Sequence, residues 1–361
     1  MPVAEARRLH HDLPLAFQMM RLISEGLDVF EAMRTLDRIP HAGHWHTEME
    51  RSGQEWFFRA ESAESRDHAV TAEAGYRTAA LYFLGASLWN VPDPALCSAT
   101  YRRCVEAFRR STALSARPVV PVSVPFSGVD LPGYLYLPAA DRGPYPVVIV
   151  LGGTDASKEE ADGLGARALA ARGIAALTFD GPGQGETVRE LGLPTRADYE
   201  VVISAAIDFL EGRPEVDSRR LGLVGASLGT YYVVRGATDP RVAAVVCHGA
   251  IYDVVADSAR LRRTPEHALF RMISGMESTE EVLGFFARMK LEDVAGKVTC
   301  PALVVHSGRD NVVDASAAKR LVAALGGPVE LEFIDDGLHC NVEYYARVQP
   351  LMYDWLAEQL G

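Results

Sequence analysis

Leu221-Gly222-Leu223-Val224-Gly225-Ala226-Ser227-Leu228-Gly229-Thr230 is the stretch from which the rest of the chain is read. An apolar strand runs into Gly225-Ala226-Ser227-Leu228-Gly229, which has the G-x-S-x-G form of a sharp strand-to-helix turn with an exposed serine. Only residues without side-chain bulk fit two positions before and after such a serine, which explains Gly225 and Gly229. The helix that follows favours negative charge on whatever Ser227 attacks. Five residues of this form arise by chance in many loops, so the context decides.

The context is a regular alternation of strands and helices. Tyr145–Leu151 is an apolar, β-branched run suited to a strand buried on both faces, and it ends in Gly152-Gly153-Thr154-Asp155. Ser157–Arg172 reads as a helix, Ile174–Phe179 as a strand, Thr195–Gly212 as a helix and Leu221–Val224 as a strand; the helix after Ser227 leads to the strand Val242–Cys247. The pattern resumes with the strand Ala302–His306, the helix Ala315–Leu325, the strand Val329–Ile334 and a last helix near Glu343–Leu360. Such alternation specifies an α/β fold, a mostly parallel sheet with helices on both faces and ligands at the carboxyl ends of the strands. Ahead of it, Pro118–Pro125 and Gly133–Pro138 read as a hairpin turning at Gly128-Val129-Asp130.

Four segments follow. Residues 1–115 form a helical domain, since apolar residues from about His10 to Thr112 recur at spacings of three and four, with breaks at Pro40, Gly43 and Asn90–Pro94. Residues 116–250 and 298–361 are the two parts of the α/β core. Residues 251–297, with Pro265 and the apolar group Phe270, Met272, Ile273, Met276, Phe285 and Phe286, form a lid-like helical insertion expected to line the pocket.

The chain has 361 residues, 48% of them hydrophobic, as a folded globular protein requires. A net charge of −12 disfavours a nucleic acid or an anionic membrane surface as partner. Five scattered cysteines make no disulfide framework, and with neither a signal-peptide core nor a run of eighteen apolar residues the expectation is a cytoplasmic protein acting on a small molecule. His41, His44 and His46 invite a zinc reading, but no cysteine or carboxylate completes a ligand spacing, so no metal is expected there. Asp180-Gly181-Pro182-Gly183-Gln184-Gly185-Glu186 lacks the spacing of a phosphate loop and reads as a tight loop beside the pocket.

A serine hydroxyl needs a base, and the base needs a group to fix its tautomer. Asp310, just past the strand Ala302–His306, and His339, just past the last strand, follow Ser227 in the order acid then histidine, each on a loop at a strand's carboxyl end. Asp314 competes for the acid role or caps the next helix. The backbone N–H groups of Leu228 and Gly153, with Thr154 close by, are candidate oxyanion donors. Asp155 either caps a helix beginning near Ser157 or enters the site as a proton-transfer carboxylate, and His248 and His306 are pocket or core residues at strand ends.

Taken together, Gly152-Gly153, the Asp180–Gly185 loop, the Ser227 turn, Asp310 and His339-Cys340-Asn341 resemble the α/β-hydrolase superfamily. Within it the chain is similar to the group that contains 2,6-dihydroxypseudooxynicotine hydrolase, fungal polyketide-shortening hydrolases and FrsA-like proteins, whose helical domain also precedes the core; Trp45…Gly53-Gln54-Glu55-Trp56 and Tyr76-Arg77-Thr78-Ala79 fit that domain. The resemblance implies an eight-stranded sheet, a Ser227–His339–Asp310 triad, no cofactor, and hydrolysis of a carbon–carbon bond next to a ketone, or of an ester, in an aromatic or polyketide-like substrate between helical domain and core. It also implies an acidic residue after Gly-Gly, where Asp155 stands, and a homodimer. Carboxylesterase, thioesterase, cyclase or acyltransferase chemistry on the same triad, and a non-catalytic FrsA-like binding role, are the alternatives.

Overall fold

The computed structural model describes residues 13–88, 93–139, 143–264 and 267–361, which fall into two compact units, Met1–Ala116 and Arg117–Gly361. The expected helical start at His10, the break at Asn90–Pro92 and Pro265 lie outside the described residues.

The first unit contains α1 (Leu13–Ser24), α2 (Val29–Asp37), α3 (Trp45–Glu64), α4 (Ala69–Leu88) and α5 (Pro94–Ala113). Local chemistry sets the starts. The Asp28 carboxylate accepts the N–H groups of Phe30 and Glu31, and Asp93 accepts that of Ala95 with Pro94 opening α5. Pro40 and Gly43 fall in the connection between α2 and α3. Helix α4 is buried around most of its circumference, and its Gly85 carbonyl accepts the Trp45 indole N–H at 2.8 Å.

In the second unit a hairpin of β1 (Val119–Phe126) and β2 (Val129–Tyr136) joins β3 (Tyr145–Leu151), β4 (Ala175–Phe179), β5 (Val216–Ala226), β6 (Val242–His248), β7 (Ala302–Ser307) and β8 (Val329–Ile334). The eight-stranded sheet has the order β1-β2-β4-β3-β5-β6-β7-β8, antiparallel from β1 to β4 and parallel from β4 to β8. From β3 the chain steps to one side to make β4 and then returns to the other side to make β5. The crevice outside the carboxyl ends of β3 and β5 is therefore the topological switch point, the place where open α/β sheets bind ligands.

Several boundaries differ from the sequence reading. The hairpin turns on Ser127 and Gly128 alone, with Phe126 opposite Val129 and φ of +47° and +84° at the two turn residues, so β2 begins at Val129 rather than Gly133. β5 extends beyond Leu221–Val224 in both directions. In place of one helix over Ser157–Arg172 there is a turn, a 3₁₀ segment at Glu160–Asp162 and a short α6 (Ala166–Ala171). Gly165 stands between them at φ +138°, and a Cβ there would lie 2.0 Å from the Tyr353 hydroxyl, which bonds the Leu164 carbonyl. The segment read as Thr195–Gly212 becomes α8 (Glu200–Glu211), preceded by irregular chain in which the Thr195 N–H donates to the Ile273 carbonyl at 2.7 Å; a short α7 (Gly185–Arg189) lies ahead of it.

Helix α9 (Leu228–Gly236) follows Ser227, and the insertion after β6 forms α10 (Val254–Asp257), α11 (Ala259–Arg263), α12 (Ala268–Ser274) and α13 (Thr279–Phe286). α14 (Ser316–Ala324) and α15 (Tyr345–Leu360) complete the unit. No helix among the described residues is long and apolar enough to cross a membrane.

The close approach at the end of β5 has a measurable consequence. A Cβ on Gly225 would lie 2.3 Å from the Gly229 carbonyl oxygen, a backbone atom that cannot swing away, whereas one on Gly284 in α13 meets nothing within 4 Å. Gly225→Ala is expected to cost about 2–3 kcal/mol in urea denaturation, and Gly284→Ala to be neutral or to gain up to about 1 kcal/mol from helix propensity.

Candidate active site

Ser227 has φ +54° and ψ −123°, a backbone conformation that a residue with a side chain rarely adopts. The surroundings hold it there. Its N–H donates to the His248 carbonyl at 2.8 Å, and its carbonyl accepts the N–H of Thr230 at 2.9 Å and the Thr230 hydroxyl at 2.7 Å. A Cβ on Gly229 would meet the carbonyl oxygens of Leu151 and Gly152 at 2.6 and 2.7 Å, so the backbone after β3 packs directly on the first turn of α9.

His339 follows β8 in a 3₁₀ segment kinked at Cys340 and Asn341, both at positive φ. Its Nε2 accepts the Ser227 Oγ–H at 2.9 Å, and its Nδ1–H donates to Asp310 Oδ2 at 2.7 Å. These roles follow from the acceptor-only carboxylate, which fixes the proton on Nδ1. The other Asp310 oxygen accepts the N–H groups of Val312 and Val313, each at 2.8 Å, so a tight turn after β7 aims the carboxylate. Asp314, the alternative acid, accepts the Ser316 N–H at the start of α14 instead.

The Asp310 side chain is wholly buried and that of His339 is 9% exposed. Burial alone would raise the Asp310 pKa; the charge of and hydrogen bond from His339, with the two valine N–H groups, outweigh it and hold the carboxyl below its ordinary range. Burial alone would lower His339, but the Asp310 carboxylate reverses this and keeps the imidazolium favoured well above the usual histidine value.

Gly153 sits against the serine. A Cβ on it would be 2.9 Å from Ser227 Cβ and 3.3 Å from Oγ, so only a glycine lets this backbone come so near. Thr154, Ser227 and Leu228 line a small pocket whose far wall comes from the insertion: Ile251, Val254, Ser258, Leu261, Phe270 and Phe286. Val312 and Val313, from the Asp310 turn, complete it. The lining is apolar apart from three hydroxyl groups.

Two further singled-out residues do not line this pocket. Asp155 is half-buried in the turn after Thr154; it is not among the cavity's lining residues, and no helix begins near Ser157 for it to cap. His248 is buried behind the serine turn, with Nε2 3.3 Å from Asn341 Oδ1, and burial pushes its pKa down to about 4. It supports the site through its carbonyl. His306 is fully buried on β7 and stacks on Phe333. In the first unit His41 caps the Gly43 N–H and His46 bonds the Thr100 hydroxyl at 3.0 Å. Sequence reasoning expected the insertion to line the pocket but did not single out Val254, Ser258 or Leu261, and it missed Val312 and Val313 in the wall. Only the Asp310-x-Val312-Val313 spacing, which suits an Asx turn, signals any of them.

The chain belongs to the esterase FrsA-like family, whose model matches residues 37–358. It is 35% identical over 263 residues to alpha/beta hydrolase ucsC of Acremonium sp., covering 65% of this chain and 54% of that protein. It is 29% identical over 343 residues to 2,6-dihydropseudooxynicotine hydrolase of Paenarthrobacter nicotinovorans, covering 94% of this chain and 91% of that one. The crystal structure of the 2,6-dihydroxy-pseudo-oxynicotine hydrolase matches with a TM-score of 0.83 at 27% identity, over 94% of this chain and 95% of that one. The chain spans 54 to 58% of the length of three fungal relatives, the Acremonium protein among them. The fold of the second unit is that of an α/β-hydrolase, and the relatives are named hydrolases.

The charge balance in the site predicts a titration. Asparagine at 310 removes the negative charge that favours the imidazolium, so the His339 pKa in Asp310→Asn falls below its value in the parent protein. Imidazole nitrogen shifts followed against pH by NMR in both proteins check this; an unchanged pKa would mean that Asp310 is not the group controlling His339.

Proposed function

We propose that the protein is a cofactor-independent serine hydrolase whose substrate carbonyl is attacked by Ser227. The observation that carries this reading is the unbroken line from Asp310 Oδ2 through the His339 ring to Ser227 Oγ, with steps of 2.7 and 2.9 Å. As Oγ bonds to the carbonyl carbon, its proton passes to His339 Nε2, and the Asp310 charge stabilises the imidazolium so formed. The negative charge on the carbonyl oxygen faces the N–H groups of Leu228 and Gly153, with Thr154 next in line. Collapse expels the leaving group with the electron pair of the broken bond, and the His339 proton neutralises it. Water, deprotonated by His339 in turn, releases an acid and restores Ser227.

The finer reading is cleavage of a carbon–carbon bond next to a ketone, with ester cleavage as the alternative. A carbon leaving group needs a proton at the moment of departure, or delocalisation as an enolate. The side chains lining the cavity are apolar or hydroxylic, so His339 is the group positioned to supply that proton. A raised His339 pKa suits this task, because the imidazolium then keeps its proton until the departing carbon becomes basic enough to take it. The match to the Paenarthrobacter hydrolase over nearly its whole length supports hydrolysis as the reaction class.

The experiment compares an aryl β-diketone with p-nitrophenyl esters as substrates of the full chain, alongside fluorophosphonate labelling of Ser227. Turnover of the diketone and labelling of Ser227 are expected, with Ser227→Ala reducing kcat by about 10³-fold or more. Turnover of esters alone would remove the carbon–carbon reading, and an unlabelled Ser227 in folded protein would remove the serine hydrolase. Only neutral imidazole accepts the serine proton, so kcat/KM should rise with pH through an acid limb lying above 6.5, the ordinary histidine value.

A further inference from the structure

The loop Asp180–Glu186 lies outside the steps described above, yet one of its side chains grips the peptide groups that face the reacting carbonyl. Gln184 is 3% exposed, and its Nε2 donates to the Gly152 carbonyl at 3.0 Å and reaches the Gly153 carbonyl at 3.4 Å. A trans peptide is rigid and planar, with its C=O and N–H on opposite sides. The Gly152 carbonyl shares its peptide plane with the Gly153 N–H, and the Gly153 carbonyl shares its plane with the Thr154 N–H. Holding the two oxygens from behind therefore fixes the direction of two N–H groups in front, beside Ser227.

Glycine makes such a hold necessary. Gly152 and Gly153 are required by close packing, since a Cβ on Gly152 would lie 2.2 Å from the Ala156 Cβ and one on Gly153 would lie 2.9 Å from that of Ser227. The same residues leave the backbone free to rotate in the absence of restraint. Gln184 is itself restrained. The Tyr199 hydroxyl donates to its Oε1 at 3.3 Å, and the Tyr199 ring stacks on Tyr232 with centroids 3.7 Å apart. Burial keeps the Tyr199 phenol protonated, so it stays a donor, with the Pro182 carbonyl at 3.5 Å as its second acceptor, and with Oε1 facing Tyr199 the Gln184 amide nitrogen points at the two carbonyls.

We propose that Gln184 is a positioning residue for the oxyanion site: its amide, oriented by Tyr199, sets the Gly152–Gly153 and Gly153–Thr154 peptides so that their N–H groups meet the developing oxyanion. This inference rests on the serine hydrolase reading. Because the donors matter most when charge develops, loss of the hold lowers kcat and leaves KM nearly unchanged.

The test uses Gln184→Met, similar in volume but without donors, in the full chain. Expected are a loss of kcat of about 10- to 100-fold with KM within about twofold of the parent. The affinity of an aryl trifluoromethyl ketone, whose adduct with Ser227 carries the oxyanion, should fall by the same factor. The rate of fluorophosphonate labelling should fall too, since the phosphoryl oxygen occupies the same place, and this readout needs no known substrate. Tyr199→Phe should show a smaller loss in the same direction, and it carries the test if Gln184→Met does not fold. A parent protein that labels at Ser227 while the folded variant labels at an unchanged rate, or a lower kcat with undiminished ketone affinity, would overturn the positioning role alone. A parent protein that does not label would overturn the serine hydrolase reading and this role with it.

Discussion

The close approach of two backbone segments at the carboxyl ends of β3 and β5 is the constraint on which the rest of the second unit depends. The loop after β3 packs against the first turn of α9 so tightly that Gly153 and Gly229 have no space for a side chain, while Ala156 of the same loop closes off Gly152 and the Gly229 carbonyl closes off Gly225. Ser227 is held at positive φ by hydrogen bonds on both sides of its peptide unit, so the strain is carried by the surrounding sheet rather than by the turn itself. Parallel pairing of β3 with β5 sets the two loops at one edge, and the reversal of strand order leaves the crevice between them open.

Around this contact the charges are few and paired. Asp310 and His339 are the ionisable side chains drawn to the serine, and they face a wall of Ile, Val, Leu and Phe supplied largely by the insertion after β6. Exclusion of water by such a wall lowers the local dielectric and makes each oriented dipole count for more. The same exclusion lowers the pKa of His248, behind the turn, while that of His339 is raised: both are buried, but only His339 has a carboxylate on its ring.

Much of this was legible in the sequence because buried parallel strands announce themselves as apolar β-branched runs, and each run that matters here ends in glycine or a polar residue. Ser227, Asp310 and His339 each follow such a run, and topology brings strand ends to one edge. Gly153 and Leu228 follow from the same reasoning. Where the reading departs from the structure, a distant partner decides. Tyr353 on α15 packs on Gly165 and interrupts the helix that local periodicity favours, and Thr195, tied through its N–H to the Ile273 carbonyl of the insertion, lies in irregular chain ahead of α8. The Gln184 contacts were illegible for another reason: a side-chain amide bonded to main-chain carbonyls of a different loop leaves no periodic or spacing signal.

The segment between β3 and α6 poses a last physical question, since it carries the Gly152-Gly153 peptides yet lacks the helix that would make it rigid. A buried ionic cluster takes the helix's place. Lys158 Nζ lies 2.9 Å from Asp180 Oδ2 and 2.5 Å from Glu186 Oε2, and the remaining Asp180 oxygen accepts the Lys158 N–H at 2.7 Å. Lys158 Nζ also lies 2.8 Å from Glu159 Oε1, so one cation serves three carboxylates; burial and Glu159 push the Asp180 carboxyl up while Lys158 opposes them. Burying these ions costs about several kcal/mol each, which makes the cluster a poor source of net stability. Its effect is on geometry. A charged group without its partner is far less stable than the paired state, so any rotation that parts Lys158 from Asp180 is strongly opposed, and the loop after β3 is fixed to the loop after β4 at one register. Two glycines demanded by packing and a broken helix would leave this backbone loose. The buried Lys158–Asp180 contact, with the Gln184 amide beside it, makes it a single well-defined surface facing Ser227.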